Sequence, residues 1–599
     1  MYTADLDVGG TFTDGFFTDG AESRTGKVLT TPHDLTECFL NCLSEGASRF
    51  GVPLRDFLRD CLVVRLSTTL GTNTLLQRRG PTLGLIVERG HEQDLYGDGP
   101  APAGDLFLRP GMVVGISSAP EDEEVLLAAR TLVNLGARMI AVSLRDAQAE
   151  QALRAVVLER YPVHYLRSIP LQLSHEVSYS SDAHTRTNTV ALNAYLHGEL
   201  ARGLFRADDL VRDNGLTRPL LVVHASGGCA RVAKTVAVQT LSSGPAVAVN
   251  GVAALAELLG EQNVVTADMG GTSLDVAVLQ GARPAVVDDP WMAGLHLSVP
   301  MIETESLGAG GGSIAKVVDG QLQVGPQSAG SAPGPACYDK GGVEPTVTDA
   351  NLVLGLIDPD RFLGGRMALN RDRAEQAIAR RVGRQLEGST EDLAMAIRSR
   401  VNEGMAGLIG SRLDDPGSFT LFAFGGGGPL HGCGLADLIG IRRVVGFPFG
   451  SVFSAFGSST ADVRHEYAGK DPGALRRQAE VDMRGEGFPA SDIRYEAGTR
   501  DGRATLSAWA PTPHWLPVAA SVEPSRPEPK ERRAVRWEDS VEAVPTPVFQ
   551  LAELARGAEL DGPAIIEAAD SSYAVNDGWG ARIDEWGNIV MERTLPDAG

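Results

Sequence analysis

Short apolar runs alternate with amphipathic stretches along most of the chain, the pattern of an α/β protein. The runs predict strands over Val63–Ser67, Leu83–Glu88, Met139–Ser143, Pro219–Val223, Val264–Asp268, Leu274–Leu279 and Val444–Gly446. Apolar positions three and four apart predict helices over Glu121–Leu135, Gln148–Arg160, Thr189–Leu204, Val249–Leu259 and Arg371–Glu387. Another helix is predicted from Thr390 to about Ile409. Ser389 is placed to accept from the amide near Asp392, and acids fill the first turn. The pattern breaks around Leu166–Ser174. It breaks again over Pro517–Pro547, where prolines and charges ("EPSRPEPKERR") read as a linker or surface excursion. Leu554–Leu595 then reads as a small strand-rich domain.

The strand pattern contains a self-match. Asp7–Asp14 reads DVGGTFTD and Asp268–Asp275 reads DMGGTSLD, both D-x-G-G-T-x-x-D. Each copy has β-prone residues before and after it, which predicts a β-hairpin turning at Gly-Gly-Thr. Adjacent glycines permit positive φ and let backbone amides approach an anion without Cβ atoms in the way. The threonine adds a hydroxyl donor. An aspartate beside phosphate needs a cation between them, which points to Mg²⁺ or another divalent metal. A single copy could be a tight turn and nothing more; two copies with one spacing point to a polyphosphate gripped from both sides.

Composition supports that reading. The chain has 70 glycines in 599 residues, well above the usual ~7%. Beyond the hairpins they concentrate in Gly308–Ser313 (GAGGGS) and Phe424–Gly432 (FGGGGPLHG). The second block follows an apolar run and precedes a predicted helix, which suits a nucleotide at a helix N-terminus. It lacks the Gly-Lys-Ser/Thr of a P-loop and the spacing of a dinucleotide fold. The length predicts more than one core. A net charge of −22 argues against nucleic acid or anionic lipid as partner. Met1–Gly20 carries four aspartates and no apolar run, so it does not read as a signal peptide. No stretch approaches the roughly 18 apolar residues of a membrane span. Six scattered cysteines predict reduced thiols and a cytoplasmic location.

The two hairpins with the later glycine block resemble the actin, hexokinase and Hsp70 ATPase superfamily. More narrowly, the chain resembles the hydantoinase A / 5-oxoprolinase family, which includes N-methylhydantoinase, caprolactamase-type lactamase and acetone and acetophenone carboxylase subunits. Besides the hairpins, the stretches that carry this are STTLGTNTLLQRRG (Ser67–Gly80), SHEVS (Ser174–Ser178), LSSGPA (Leu241–Ala246), LGAGGGSIA (Leu307–Ala315), VGPQSAGSAPGPACY (Val324–Tyr338), PTVTDANLVLG (Pro345–Gly355), FGGGGPLHG, ADVRHEY (Ala461–Tyr467) and GPAIIE (Gly562–Glu567). The resemblance implies an α/β fold of two RNase-H-like halves around a nucleotide cleft, with a small β-rich C-terminal domain. The domains it implies are 1–170, 171–475 and 476–599. It also implies ATP, Mg²⁺ and a hydantoinase B-like partner subunit. The chain departs from the family's pattern at Glu303-Thr304-Glu305-Ser306, where Asp-Ile-His-Thr is common, and at Tyr179–Thr187, where Glu-Arg-Thr-Ser-Thr-Thr is common.

The residues assign themselves to roles accordingly. Asp7 and Asp268 would organise the metal and catalysis. Gly9, Gly10, Thr11, Thr13, Gly270, Gly271, Thr272, Ser273, Gly310, Gly311 and Gly425, Gly426, Gly427 and Gly428 would bind nucleotide. His175, Glu176 and Arg186 would meet substrate, though a structural pair and a surface arginine are the plain alternatives. Glu303 and Glu305 alternate, so a strand would present both on one side for metal or acid/base work; two solvated edge carboxylates are the alternative. Cys337 reads as a packed residue, with a reactive thiol the alternative, and His431 as a purine contact or a helix cap. The expected activity is ATP-dependent phosphorylation of a carbonyl, opening a hydantoin, lactam or oxoproline-type cyclic amide. The alternatives are a ketone carboxylase subunit and a non-catalytic nucleotide-binding subunit. A plain kinase of the same superfamily fits less well, because the family stretches extend beyond the hairpins.

Overall fold

The computed structural model describes residues 1–31, 34–98, 107–109, 111–165, 168, 170–500 and 502–594. The chain divides into two compact units, each built from three stretches. Met1–Val247, Val286–Ile302 and Ser458–His514 make the first; Ala248–Ala285, Glu303–Gly457 and Trp515–Gly599 make the second. These are not the consecutive segments 1–170, 171–475 and 476–599. The difference arises because strands distant in sequence pair within one sheet. Part of the break expected at Leu166–Ser174 (166, 167 and 169) lies outside the described residues.

In the first unit β1 (Tyr2–Val8), β2 (Phe12–Thr18) and β3 (Ser23–Leu29) form an antiparallel meander. β4 (Cys61–Thr68) and β5 (Leu220–Val223) continue in parallel from the other side of β1. The order β3-β2-β1-β4-β5 is the RNase-H-like one. β4 is almost wholly buried, as a central parallel strand should be. Helix α1 (Leu35–Arg49), capped by Asp34, buries Cys38, Phe39, Cys42 and Leu43. Helix α2 (Leu70–Leu76) follows β4 directly. Helix α3 (Ala183–Asp213) starts six residues before the expected Thr189, because Asp182 caps it at the Thr185 amide. Its polar first turns are buried, and Thr187 and Thr189 donate to the carbonyls of Ala183 and Thr185. A separate parallel sheet, Val113–Ile116, Leu83–Glu88, Met139–Ser143 and Leu171–Leu173, belongs to the same unit.

The second unit repeats the plan. β6 (Asn263–Met269) pairs antiparallel with β7 (Leu274–Val276) and β8 (Val278–Gln280). The single strand expected at Leu274–Leu279 is interrupted at Ala277, whose amide donates to the Thr266 hydroxyl, 2.8 Å. β9 (Glu305–Leu307) pairs with β7, and β10 (Thr420–Phe424) and β11 (Arg443–Gly446) run parallel to β6. Helices α4 (Val347–Val353), α5 (Thr390–Gly410) and α6 (Gly428–Ile439) pack around this sheet. The Ser389–Asp392 capping box forms as expected.

The C-terminal region is β-rich, but it is not a domain apart. β12 (Ile589–Arg593) pairs antiparallel with β11 and so extends the main sheet. The expected linker 517–547 contains a strand, Glu531–Val535, paired with Val544–Gln550 in a four-stranded sheet. Its outward charges hid an edge-strand pattern. Residues 595–599, which include the end of the expected β-domain, lie outside the described residues.

Arg65 ties the first sheet together. Fully buried in β4, it donates to Asp5 Oδ1 (2.6 Å), Ala461 O (3.1 Å), Thr512 Oγ1 (2.6 Å) and Pro513 O (2.8 Å). Removing one partner of such a pair leaves a buried charge uncompensated. Arg65→Met is expected to lower unfolding free energy by about 3–5 kcal/mol in denaturant titration. Asp5→Leu/Arg65→Met is expected to recover much of the loss, and no recovery would contradict this role for the pair.

Candidate functional site

The two self-matching segments fold alike. In the first, Asp7 faces Asp14 and Val8 faces Thr13 across β1 and β2, and the Gly9 amide closes the turn on Phe12 O at 3.0 Å. In the second, Asp268 faces Asp275 and Met269 faces Leu274, and the Gly270 amide closes on Ser273 O at 2.9 Å. The match extends one strand further. Asp14 lies opposite Lys27 and Asp275 opposite Ser306. Each central strand is then followed by a parallel strand, a short loop and a helix: β4 to α2, and β10 to α6.

Neither Gly-Gly pair uses positive φ, contrary to expectation. Their purpose shows in the space around them. Nothing lies within 4 Å of where a Cβ would stand on Gly10, Gly271 or Gly426, and all three are exposed. These positions leave backbone open to a ligand. Other assigned glycines are required by packing against the second hairpin. A Cβ on Gly310 would meet Gly271 and Thr272 backbone at 2.6–2.7 Å. One on Gly428 would meet Ala267 O at 2.6 Å, and Gly425, at φ +78°, would meet Asp268 Oδ1 at 2.6 Å. Amides of Gly311 (3.0 Å), Gly312 (2.7 Å) and Gly427 (2.9 Å) donate to the carbonyls of Gly270, Gly271 and Met269. In the second unit, then, the hairpin at Asp268, the 308–313 loop and the 425–428 loop converge.

Asp7 is the electrostatic oddity of the first unit. Its Oδ1 is buried without a hydrogen-bond partner. It lies 3.3 Å from where a Cβ on Gly244, in the first turn of helix Ser243–Leu259, would stand. Burial pushes its pKa up to about 6; a Ser67 hydrogen bond pulls down, Asp14 pushes up, and Lys27 pulls down. Lys27 is committed to Asp14 at 2.6 Å. At neutral pH an ionised carboxylate stands there with an unused oxygen, which suits a divalent cation bound with phosphate. In the second unit burial raises Asp275, against hydrogen bonds from Ser306 and Ser273. Sequence reasoning missed the supporting residues Asp14, Lys27, Ser67, Gly244, Asp275 and Ser306. Asp14 and Asp275 were visible in the motif; the others reach the site only by strand register or, for Gly244, by helix packing.

Other candidates are placed elsewhere. Thr13 is buried with its hydroxyl on Thr30, 3.0 Å, and so serves the turn. Thr11 and Thr272 stay on the turns, and the Ser273 hydroxyl reaches Asp275 at 3.5 Å. Arg186 is not a surface or substrate arginine. It is buried and donates to Ser174 Oγ, Ser180 O and Leu144 O at 3.0–3.1 Å. His175 sits 3.1 Å from the buried Glu150, and Glu176 is held by Gln151 and Arg154. Glu303 lies outside the strands and Glu305 opens β9, so no strand presents the two together; both pair with Arg412. No cluster of three metal-ligating side chains occurs among the described residues. The thiol of Cys337 is buried and pushed up by that burial. His431 is a buried neutral imidazole between Asn402 (2.6 Å) and Asn351 (3.1 Å), its pKa held far down by burial. It is a core residue, neither purine contact nor cap.

Residues 186–467 match the hydantoinase/oxoprolinase family, and residues 5–159 match that family's N-terminal region. The chain is 34% identical to the acetophenone carboxylase gamma subunit of Aromatoleum aromaticum over 99% of this chain and 96% of that protein. It belongs to the hydantoinase/oxoprolinase family. As a hydantoinase A-type chain it is also 36% identical to caprolactamase subunit alpha of Pseudomonas jessenii, over 78% of this chain and 71% of that one. The solved ATP-dependent caprolactamase of the same organism superposes with a TM-score of 0.84 at 28% identity, covering 99% of this chain and 100% of that one. Nucleotide-free acetone carboxylase has the same fold, with a TM-score of 0.85 at 23% identity and 99% of both chains covered. These family members are enzymes and subunits of larger assemblies. No helix among the described residues is long and apolar enough to cross a membrane.

Two predictions follow from this geometry. A carboxylate whose pKa is raised on folding stabilises the fold at low pH and loses that contribution as pH rises through about 6. Asp7→Asn is therefore expected to raise the melting temperature of the nucleotide-free protein at pH 7.5, by roughly 2–3 kcal/mol of stability, and to leave it little changed at pH 4. A lower melting temperature at pH 7.5 would contradict the raised pKa. The second contrast is between glycines. Gly310→Ala is expected to destabilise the second unit, whereas Gly271→Ala is expected to keep wild-type stability and weaken nucleotide binding. Titration of a fluorescent ATP analogue together with thermal melting separates the two.

Proposed function

We propose that this chain is the nucleotide-using subunit of an ATP-dependent enzyme that phosphorylates a carbonyl substrate. The observation that carries this reading is the buried, unpartnered Oδ1 of Asp7 beside the exposed turn of the first Gly-Gly-Thr hairpin. The same hairpin recurs at Asp268. In the first unit Asp7 would hold Mg²⁺ and the amides and hydroxyls at Gly9, Gly10 and Thr11 would meet phosphate; in the second, Asp268 would hold Mg²⁺ and Gly270, Gly271, Thr272 and Gly426 would meet phosphate. Bound Mg²⁺ supplies charge neutralisation for the phosphates.

The reaction is mostly positioning and electrostatics. The substrate carbonyl oxygen bonds to the γ-phosphorus as the bond to the departing ADP oxygen breaks. For a cyclic amide, loss of the N–H proton leaves an imidate phosphate. Water adds at its carbon and the ring nitrogen leaves as the amine. The resulting acyl phosphate then loses phosphate to a second water. A hydantoinase B-like subunit receives the activated species. A second reading is supported by the match along 96% of the acetophenone carboxylase subunit: the phosphorylated enol of a ketone is carboxylated at the partner. In both readings Glu303 and Glu305 are ion-paired to Arg412, with no acid/base duty.

The test is ADP release by purified protein, with and without its co-purifying partner, across hydantoins, lactams and ketones. Carbonyl-stimulated turnover is expected, falling by at least about a hundredfold in Asp7→Asn and in Asp268→Asn with the fold retained. Wild-type turnover in either variant, or ATP bound but never turned over with any carbonyl, would overturn the reading in favour of a binding subunit.

A further inference from the structure

One cavity lies wholly within the first unit and shares only the tip of the first hairpin with the phosphate chemistry above. It measures about 500 Å³ and is bounded by the tip of the first hairpin, α1, α2 and α3. Sites for small organic ligands usually span roughly 300–1,000 Å³. The STTLGTNTLLQRRG stretch supplies Thr68, Leu70, Asn73, Thr74, Gln77 and Arg79 to its lining, so a stretch with no duty in phosphate binding forms one wall of it.

The lining is divided by chemistry. Phe39 of α1, Leu66 of β4 and Leu204 of α3 are buried and give an apolar wall. The polar side comes from α2 and the residues after it. Thr74 is occupied by the Leu70 carbonyl (2.8 Å), and the Asn73 amide nitrogen by the Thr69 hydroxyl (3.3 Å). The cations differ in the same way. Arg202 is paired with Glu199 at 2.8 Å and Arg206 with Asp34 at 2.7 Å. Arg79 lines the same cavity, and its guanidinium has no ion pair or hydrogen bond among the described residues. A guanidinium without a partner at the edge of an apolar chamber is suited to a carboxylate. Gly10, whose backbone is open, lines the cavity too, so a ligand there lies beside the hairpin that carries Asp7.

We infer that this cavity binds the carbonyl substrate and selects one with a bulky apolar, ring-sized body and an anionic group that pairs with Arg79. A ligand as small as acetone would leave most of the volume empty and Arg79 without a partner. This rests on the proposed carbonyl phosphorylation, so its test reads binding without ATP.

The probes are acetone, acetophenone and 4-acetylbenzoate, titrated by calorimetry into the full chain with any co-purifying partner. 4-Acetylbenzoate is expected to bind more tightly than acetophenone, with acetone undetected. Arg79→Gln alters an exposed side chain and is expected to weaken 4-acetylbenzoate by about tenfold, one charge-assisted contact, while acetophenone is unchanged. Ala207→Phe, which fills the cavity, is expected to weaken both aromatic ketones. In both variants a fluorescent ATP analogue is expected to bind as in wild type, which also reports an intact fold. Absence of binding by both aromatic ketones, or binding that neither variant alters, would overturn the inference. So would loss of ATP-analogue binding in Ala207→Phe with melting unchanged, which would assign the cavity to nucleotide. Ketone binding with no stimulated ADP release would leave the pocket standing and count against the phosphorylation reading alone.

Discussion

A carboxylate oxygen held out of water with no donor to meet it is expensive, and the first unit keeps one at Asp7. The surroundings could have relieved it. Lys27 is two strands away and is spent on Asp14, and Ser67 provides a single hydrogen bond. The helix residue facing the carboxylate is glycine, so no side chain fills the space. The arrangement makes sense if the missing partner is a cation that arrives with phosphate. The fold then holds a ligand site in a destabilised state until it is filled, as functional sites commonly do.

The second unit reaches a related end by different means. Its hairpin has the same register and the same turn-closing bond, yet Ser306 stands where Lys27 stands in the first. The glycine loops at 308–313 and 425–428 pack on this hairpin through backbone hydrogen bonds. Close packing of backbone on backbone explains why so many glycines are needed there. Only a few of them, Gly271 and Gly426 among those assigned, leave their space open for something else. One motif therefore has two settings: a buried carboxylate oxygen without a hydrogen-bond partner in the first unit, and a close packing of backbone loops in the second.

Much of this was legible in the chain because it is local. Turn chemistry and strand lead-ins are written within eight residues, so both hairpins and the Ser389 cap could be read directly. What failed to show depends on distance. Ser67 and Gly244 meet Asp7 only through register and helix packing. The strand Glu531–Val535 hid behind prolines and outward charges, and β12 pairs with β11, which precedes it by more than a hundred residues. Arg186 and His431 misled because each has a functional side chain by type, yet burial and saturated hydrogen bonding make both of them scaffold. The STTLGTN stretch could be matched to the family, but its purpose needed the cavity it lines.

The most direct measurement is the carbon-13 titration of the Asp7 carboxyl in labelled protein, with and without Mn²⁺·ATP as a paramagnetic probe. The account predicts a midpoint near 6 for the free protein and selective broadening of the Asp7 resonance when the metal–nucleotide is added. An ordinary carboxylate midpoint near 4, with a resonance that the metal–nucleotide leaves sharp, would contradict it.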